Sequence, residues 1–190
     1  MEKITDKTGR IAFIGGGMMA EAILKGMLHK EIAEPEMIII SDPSAGRREY
    51  LEKTYKVNTT GCNVEAVKTA GFVIFAVKPQ VADIAINSEV ADAIPQNTTV
   101  LSIMGSVNLN KLHKLVPGHA VIRVMPNTPL AVGCGMTAIA PDENVSEEML
   151  DVAKAVFGSC GEIEIIAESA IEAIAAVSGC GPGYVFMMID

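Results

Sequence analysis

The sequence predicts an α/β fold with a doubly wound, mostly parallel sheet, followed by the start of an all-helical segment. Three observations lead to this prediction. Short apolar runs alternate with segments of helical spacing along most of the chain. Two of these runs, Met37–Ser41 (MIIIS) and Gly71–Val77 (GFVIFAV), are unbroken and rich in β-branched residues, as is usual for strands buried on both faces. After about Glu164 the composition becomes rich in alanine, and we predict two helices separated by a glycine-proline break.

The predicted elements follow one another as strand, helix, strand, helix. The expected strands are Arg10–Ile14, Met37–Ser41, Gly71–Val77, Thr98–Ser102, Ala120–Val124 and Gly135–Ala140. The expected helices are Met18–Lys30, Ala45–Thr54, Gln80–Ile94, Asn108–Leu115 and Ser146–Phe157. We assign residues 1–164 to one domain and residues 165–190 to the beginning of a second, helical domain.

Two helices are expected in the C-terminal segment. Ala167–Val177 (AESAIEAIAAV) has helical composition, Gly179–Gly183 is expected to break it, and a new apolar helix begins at Tyr184. This last helix reaches Asp190 without a C-terminal glycine or a basic last turn. We therefore expect the chain to be a fragment of a longer protein.

The composition excludes several classes of function. With 190 residues, 49% apolar and 20% charged, the chain should be globular, and its net charge of −8 argues against binding nucleic acid. Its four cysteines are dispersed, with no C-x-x-C pair, so we predict reduced thiols and no metal site. The N-terminus lacks the apolar region of a signal peptide, and no apolar run reaches ~18 residues. We expect a cytoplasmic protein with no membrane partner.

The strongest local signal is the glycine-rich turn between the first predicted strand and helix. Gly15, Gly17 and Ala20 fit the pattern G-x-G-x-x-A. The first glycine permits a tight turn, the second lets the backbone approach a pyrophosphate, and the small Ala20 lets helix and strand pack closely. In this context the turn predicts dinucleotide binding and a Rossmann-type domain. A flexible turn from strand to helix, with no ligand, could have the same sequence pattern.

The residues after the second strand give conflicting indications about the coenzyme. Asp42 lies where a carboxylate would bind the ribose 2′-hydroxyl of NAD, whereas Arg47 and Arg48 lie where a guanidinium could bind the 2′-phosphate of NADP. Asp42-Pro43-Ser44 could equally be an ordinary turn. The choice between NAD and NADP stays open at this point.

Two further loops follow predicted strands and so should face the cofactor. Ala76–Gln80 (AVKPQ) contains a proline suited to the first turn of a helix. Arg123–Pro129 (RVMPNTP) holds Asn127 and Thr128 between two prolines, which favours a rigid loop able to orient a substrate or the nicotinamide. A structural turn explains this loop equally well. Asn63 could contact adenosine, but its position at a helix start favours capping.

Taken together, these stretches and the segment Ser178–Tyr184 (SGCGPGY) resemble the pyrroline-5-carboxylate reductase family. The resemblance implies reduction of 1-pyrroline-5-carboxylate to L-proline, the last step of proline biosynthesis, with hydride from NADPH or NADH. It also implies a homodimer or higher homo-oligomer for the full-length protein.

The resemblance further implies which positions contact each ligand. The implied cofactor contacts are Ile14, Gly15, Gly16, Gly17, Met18, Met19, Asp42, Asn63, Ala76, Val77, Lys78, Pro79, Ile103, Met104 and Gly105. The candidates for the substrate or nicotinamide pocket are Asn127, Thr128, Ser178, Gly181 and Pro182. No catalytic side chain and no metal ligand are expected.

This sequence departs from the family pattern at several places. Met18 replaces a frequent asparagine, Met104-Gly105 replaces two alanines, and Cys180 and Gly183 replace a serine and an alanine. The family's helical dimerisation domain is mostly missing, so we expect this chain to be inactive alone. Its apolar end Tyr184–Ile189 (YVFMMI) should lack the helices that normally cover it.

Two other functions remain as alternatives. A β-hydroxyacid dehydrogenase-like enzyme would carry a catalytic lysine after the second glycine motif, but Val185 occupies that position. A non-catalytic dinucleotide-binding module would need no helical domain at all.

Overall fold

A computed structural model describes residues 3–189 and contains one eight-stranded sheet in the order β3–β2–β1–β4–β5–β6–β7–β8. Neighbouring strands from β3 to β6 are parallel, β7 is antiparallel to β6, and β8 is parallel to β7. The prediction of a mostly parallel sheet is therefore confirmed. The strands are β1 Arg10–Ile14, β2 Ile38–Ser41, β3 Asn58–Thr60, β4 Ala70–Phe75, β5 Thr99–Ser102, β6 Val121–Met125, β7 Gly135–Pro141 and β8 Gly161–Ile165.

Helices connect most of these strands. The α-helices are α1 Ile4–Thr8, α2 Met18–His29, α3 Ala45–Tyr55, α4 Asn63–Val67, α5 Ala82–Ala85, α6 Ser88–Ala93, α7 Leu109–Leu115, α8 Glu147–Gly158, α9 Ile171–Ile174 and α10 Gly181–Ile189. Short 3-10 turns form at Pro35–Met37, Pro79–Val81, Thr128–Val132 and Glu168–Ala170, and a π-helical turn forms at Ala175–Gly179.

The core is divided between the two faces of the sheet. Along β1, Ile11 and Phe13 pack into a cluster with α2 and α8, while Ala12 and Ile14 pack into a second cluster with α4, α6 and α7. All four side chains are buried. Because helices cover both faces, the central strands need apolar residues at every position, which explains their unbroken apolar sequences.

Some elements differ from the sequence prediction. The helix α1 and the strands β3 and β8 were not predicted, because α1 is one short turn and both strands are largely polar. The single helix predicted over Gln80–Ile94 is in fact divided. Ile86 leaves the helical conformation, and Asn87 caps the new helix α6 by accepting from the N–H of Val90 at 3.0 Å.

The predicted break at Gly179–Gly183 is wrong. The chain stays helical from Glu168 to Ile189, over 22 residues, with Pro182 in the first turn of α10, where a proline is tolerated. By length and composition this helix could cross a membrane, but one such helix is weak evidence for a span. The apolar side chains of Tyr184–Ile189 are exposed among the described residues, as expected.

Arg123 links this helix to the sheet. Its side chain in β6 is only 3% exposed. The guanidinium donates to the carbonyl of Gly105 at 2.6 Å and pairs with Glu168 at 3.2 Å and Glu172 at 2.7 Å. Glu168 also accepts from the N–H of Leu109 at 2.6 Å. The helix therefore begins against β6, α7 and the loop after β5.

Replacing Gly71 with alanine should destabilise this fold. A Cβ at Gly71 would lie 2.0 Å from the backbone oxygen of Thr8, so the backbone must shift at a cost of about 1–3 kcal/mol or more. Gly46→Ala in α3 is the control, because a Cβ there meets nothing within 4 Å. Thermal unfolding should give a lower midpoint for Gly71→Ala and an equal or higher one for Gly46→Ala. Equal midpoints in the two variants would contradict the close contact between Gly71 and the backbone of Thr8.

Candidate functional site

The predicted site residues lie on loops that leave the same edge of the sheet. Ile14 pairs with Ser41 on one side and with Phe75 on the other, Phe75 pairs with Ser102, and Ser102 pairs with Arg123. The ends of β2, β1, β4 and β5 are thus level with one another, and β6 extends two residues further, to Met125. The strand order reverses between β1 and β4, and ligands of open α/β sheets bind in the crevice at such a reversal.

The first glycine of the turn is required by the backbone. Gly15 has φ +99°, and its N–H donates to the carbonyl of Ser41 at 2.8 Å. A Cβ at this position would lie 2.7 Å from the carbonyl oxygen of Ala76. The N–H of Ala76 in turn donates to the carbonyl of Ile14 at 2.9 Å. The loops after β1 and β4 therefore touch through their backbones, which leaves no room for a side chain.

The second and third glycines differ from each other. A Cβ at Gly16 would meet Leu51 at 2.9 Å, whereas a Cβ at Gly17 would meet nothing within 4 Å. Gly17 precedes α2, a 12-residue helix whose first residue, Met18, is 88% exposed, while Met19 packs on the core. The N-terminus of this helix faces open space at Gly17. Free N–H groups and the helix dipole favour an anion at such a position.

Asp42 binds the glycine turn directly. Its Oδ2 accepts from the N–H of Gly16 at 3.0 Å, and its Oδ1 accepts from the N–H of Ser44 at 2.9 Å. The second bond is the turn that the sequence offered as the alternative. Asp42 therefore closes its own turn and also fixes the glycine loop.

The two arginines of α3 have different surroundings. Arg47 donates through Nε to the carbonyl of Gly16 at 2.5 Å, and its Nη2 forms an ion pair with Glu21. Arg48 donates through Nη1 to the carbonyls of Asp42 at 2.8 Å and Pro43 at 3.1 Å. Arg47 thus faces the glycine turn, while Arg48 lies along the turn that ends β2.

Glu21 is the centre of the contacts around Arg47. Besides the arginine, its carboxylate accepts from the hydroxyls of Tyr55 at 2.7 Å and Tyr50 at 2.9 Å. Burial alone would raise the pKa of the Glu21 carboxyl, but the hydrogen bonds from Tyr55, Arg47 and Tyr50 outweigh it and lower the pKa. Burial and the Glu21 carboxylate raise the pKa of Tyr55. Glu21 is therefore a fixed anion that holds Arg47 in place.

An apolar cavity of about 520 Å³ opens beside the glycine turn. Four of the predicted cofactor contacts line it: Ile14, Gly15, Asn63 and Val77. Further lining residues are Ser41, Pro43, Gly61, Cys62, Val64, Val81, Ile84, Ala85, Asn87, Glu89 and Val90. Its mostly apolar wall and few polar groups are typical of a small-molecule site.

Asn63 does not cap its helix, so that expectation is wrong. It is the first residue of α4 and follows Cys62 at the N-cap position, where no side-chain cap forms. The hydroxyl of Ser41 donates to its Oδ1 at 2.5 Å, and its Nδ2 donates to the carbonyl of Ala85 at 2.9 Å. Asn63 thus joins the end of β2 to α5 and is one of the residues that line the cavity.

The loop after β4 lines part of this cavity through Val77 and Val81, and the loop after β5 follows on the next strand of the sheet. Lys78 is exposed, and Pro79 starts a 3-10 turn, as its position in the sequence predicted. Ile103 donates its N–H to the carbonyl of Phe75 at 3.1 Å. The side chain of Met104 is 1% exposed and belongs to the core, so this position can offer a ligand little beyond its backbone.

The loop after β6 connects the sheet to the C-terminal helix. Asn127 accepts through Oδ1 from the N–H of Met136 at 2.9 Å and donates through Nδ2 to the carbonyl of Ser178 at 3.3 Å. Thr128 is exposed at the start of its 3-10 turn. Gly181 and Pro182 lie in the first turn of α10, one turn beyond Ser178. The structure thus brings Asn127 and Ser178 into contact.

Sequence reasoning missed several residues of this site. Ser41 and Arg123 are polar residues at the end of, or within, strongly apolar strands (IIIS and VIRVM), and such residues need a buried partner. This need for a buried partner could have identified both residues from the sequence. Glu21 gave none, because its partners come from a different helix.

Among residues 3–189, no three histidine, cysteine or carboxylate side chains form a group that could hold a metal ion. The four cysteines are free thiols, and burial raises the pKa of Cys160.

A second cavity of about 310 Å³, between α2 and the 3-10 turn Thr128–Val132, contains none of the predicted site residues.

Comparison with known proteins relates this geometry to a family. Residues 10–106 match the family described as NADP oxidoreductase, coenzyme F420-dependent. Pyrroline-5-carboxylate reductase of Synechocystis is 42% identical over 95% of this chain and 67% of its own length. The Escherichia coli enzyme is 36% identical with the same coverage. The chain thus spans about two thirds of these relatives.

Solved structures agree with these relatives. Pyrroline-5-carboxylate reductase of Coxiella burnetii is 30% identical, with a TM-score of 0.88 over 94% of this chain and 67% of that one. The Plasmodium falciparum enzyme, solved with NADP bound, is also 30% identical, with a TM-score of 0.83 over 95% and 66%. Prephenate dehydrogenase of Aquifex aeolicus shares only the fold, at 12% identity and a TM-score of 0.73. The chain belongs to the pyrroline-5-carboxylate reductase family.

Proposed function

We propose that the protein reduces 1-pyrroline-5-carboxylate to L-proline with hydride from NADPH or NADH, and that this chain carries the cofactor-binding part. The observation that carries the proposal is the turn at Gly15–Gly17, open at Gly17 and placed beside an apolar cavity at the reversal of strand order. The family assignment and the NADP-bound relative support the same reading.

The residues present fit a nicotinamide dinucleotide. The open space at Gly17 and the start of α2 would take the pyrophosphate, with Met18 and Met19 contributing backbone only. The apolar cavity, with Asn63 among its lining residues, would take the adenosine. Apart from Gly16 and Asp42, which are hydrogen-bonded to each other, the remaining predicted contacts lie on the loops after β4 and β5, which would hold the nicotinamide: Ala76, Lys78, Pro79, Ile103, Met104 and Gly105. Val77 lies on the loop after β4 and also lines the cavity.

When bound, the nicotinamide supplies the hydride to a protonated C=N bond. The protein's part is to position the imine against it and to limit access of water. We assign the substrate end to Asn127, Thr128, Ser178, Gly181 and Pro182, and no side chain is assigned as an acid or a base. Residues 165–190 would begin a helical domain that completes the pocket in a cytoplasmic homo-oligomer, where the apolar side chains of α10 would be covered.

Arg48 is the arginine that we assign to the 2′-phosphate of NADPH. Arg47 is bound by Gly16 and Glu21, and its guanidinium lies 5.1 Å from the ring centre of Tyr50. Arg48 uses only Nη1 toward protein carbonyls, on the turn that includes the cavity residue Pro43. Among residues 3–189, its other guanidinium N–H groups have no acceptor.

The direct test is an activity assay with 1-pyrroline-5-carboxylate of the protein that contains the complete helical domain proposed to begin at residue 165, since residues 1–190 alone are expected to be inactive. We expect loss of NADPH absorbance that depends on the imine, together with formation of proline. The same assay with a small 3-hydroxyacid and NADP should show no turnover, because Val185 occupies the position of the dehydrogenase lysine. Turnover of the hydroxyacid and none of the imine would overturn the proposed function.

Gly17→Val should weaken NADPH binding severely while leaving the thermal midpoint close to that of the parent protein. The added side chain would occupy the space assigned to the pyrophosphate, but it meets no protein atom within 4 Å of its Cβ. Gly15→Ala is the comparison and should lower both affinity and midpoint, because its Cβ would lie 2.7 Å from the oxygen of Ala76. Fluorescence titration and thermal unfolding measure the two effects. Unchanged NADPH affinity in Gly17→Val would remove this turn from the site.

Arg48→Ala should weaken NADPH binding by roughly one to two decades and spare NADH, since a charge-assisted contact is worth about 1.5–3 kcal/mol. Arg47→Ala should weaken both coenzymes alike and lower the thermal midpoint, because it loosens the glycine turn. Lys53→Ala removes the same charge from α3 at an exposed position and serves as control. A selective loss of NADPH in Arg47→Ala, with none in Arg48→Ala, would reverse the assignment.

A further inference from the structure

The C-terminal helix contains a carbonyl that lacks its normal donor. In an α-helix the N–H four residues later donates to each carbonyl, but the residue four after Ser178 is Pro182, which has no N–H. The π-helical turn Ala175–Gly179 ends at the same place, where the N–H of Cys180 donates to the carbonyl of Ala175 at 2.9 Å. The half-buried carbonyl of Ser178 therefore needs a partner from outside the helix.

Asn127 supplies that partner. Its Nδ2 donates to the carbonyl of Ser178 at 3.3 Å, although the two residues are 51 positions apart. Its Oδ1 accepts from the N–H of Met136 in β7 at 2.9 Å, which fixes the orientation of the amide. The flanking Pro126 and Pro129 restrict the loop. Asn127 thus connects a rigid loop of the sheet to the one helical carbonyl that Pro182 leaves without its i+4 donor.

The contact lies at the nicotinamide end of the proposed cleft. The thioether of Met125, two residues before Asn127, lies between two glycines. A Cβ at Gly179 would be 3.3 Å from its Cε, and a Cβ at Gly105 would be 3.5 Å from the same atom. Gly105 lies on the loop after β5, which we assign to the nicotinamide. The helical turn that begins at Ser178 therefore lies across Met125 from the cofactor loop.

We propose that Asn127 is a positioning residue, which replaces the hydrogen bond that Pro182 cannot give and so fixes the turn Ser178–Pro182 against the nicotinamide end of the cleft. This inference rests on the proposed function only for the identity of the substrate. A residue that acts this way should affect the fit of the imine and leave the distant adenosine and pyrophosphate contacts unchanged. Its importance should also depend on the presence of a proline at position 182.

The test is a double-mutant cycle between Asn127→Ala and Pro182→Ala, made in the protein that contains the complete helical domain. In the parent background, Asn127→Ala should lower kcat/KM for the imine by roughly ten- to a hundredfold, because hydride transfer depends on orientation. The affinity for NADPH should not change. In the Pro182→Ala background the restored amide can donate to Ser178, so the loss caused by Asn127→Ala should largely disappear. Equal losses in both backgrounds would overturn the proposal and mean that Asn127 contacts a ligand directly.

Two measurements keep the test separate from stability and from the proposed function. Ser146→Ala removes the N-cap of α8, a helix that carries none of the site residues. It should lower the thermal midpoint without changing kcat/KM. Hydrogen exchange of the amides in residues 180–184 needs no substrate. Asn127→Ala should accelerate it in the parent background and not in Pro182→Ala. If the parent protein does not reduce the imine but this exchange pattern holds, the proposed function fails and the positioning contact stands. Unchanged exchange in both backgrounds would overturn the positioning contact.

Discussion

The close approach of two backbones at the reversal of strand order is the constraint on which the site depends. The loops after β1 and β4 touch at Gly15 and Ala76, where a Cβ would come within 2.7 Å of a carbonyl oxygen. This contact follows from parallel pairing that leaves Ile14 level with Phe75. Because the loops leave the sheet together, the start of α2 and the apolar cavity share one crevice. A dinucleotide bound as we propose would then contact both.

Charged side chains around the crevice act mainly on the backbone. Asp42 and Arg47 bind the N–H and the carbonyl of the same residue, Gly16, and Glu21 holds the arginine from α2. The glycine turn is thus fixed by a carboxylate that accepts from its N–H and by a guanidinium that donates to its carbonyl. This explains why an acidic chain can present an anion site: the local field comes from N–H groups and the helix dipole, while the nearby ionised groups compensate one another.

Much of the fold could be predicted from sequence, because buried parallel strands and glycine turns leave strong local patterns. The bounds of β1 were predicted to the residue, and the loops that face the crevice were identified. What failed depended on contacts between distant segments. Asn63 binds Ser41 and Ala85 instead of capping its helix, and the separate roles of the two arginines depend on Glu21. Local propensity contains no information about such partners.

The strand β6 relates the two ends of the proposed reaction site. Its Arg123 is buried and binds the loop after β5 as well as two glutamates of the C-terminal helix. A buried guanidinium without these partners would be costly, so the loop and the helix are held at a fixed distance from one strand. Asn127, on the loop that follows the same strand, binds the helix at Ser178, six residues beyond Glu172. Two contacts on one helix, both from neighbouring positions of one strand and its loop, fix its direction as well as its place. The helix that we assign to the substrate and the loop that we assign to the nicotinamide are therefore positioned by the same element, which is the arrangement that hydride transfer between them would require.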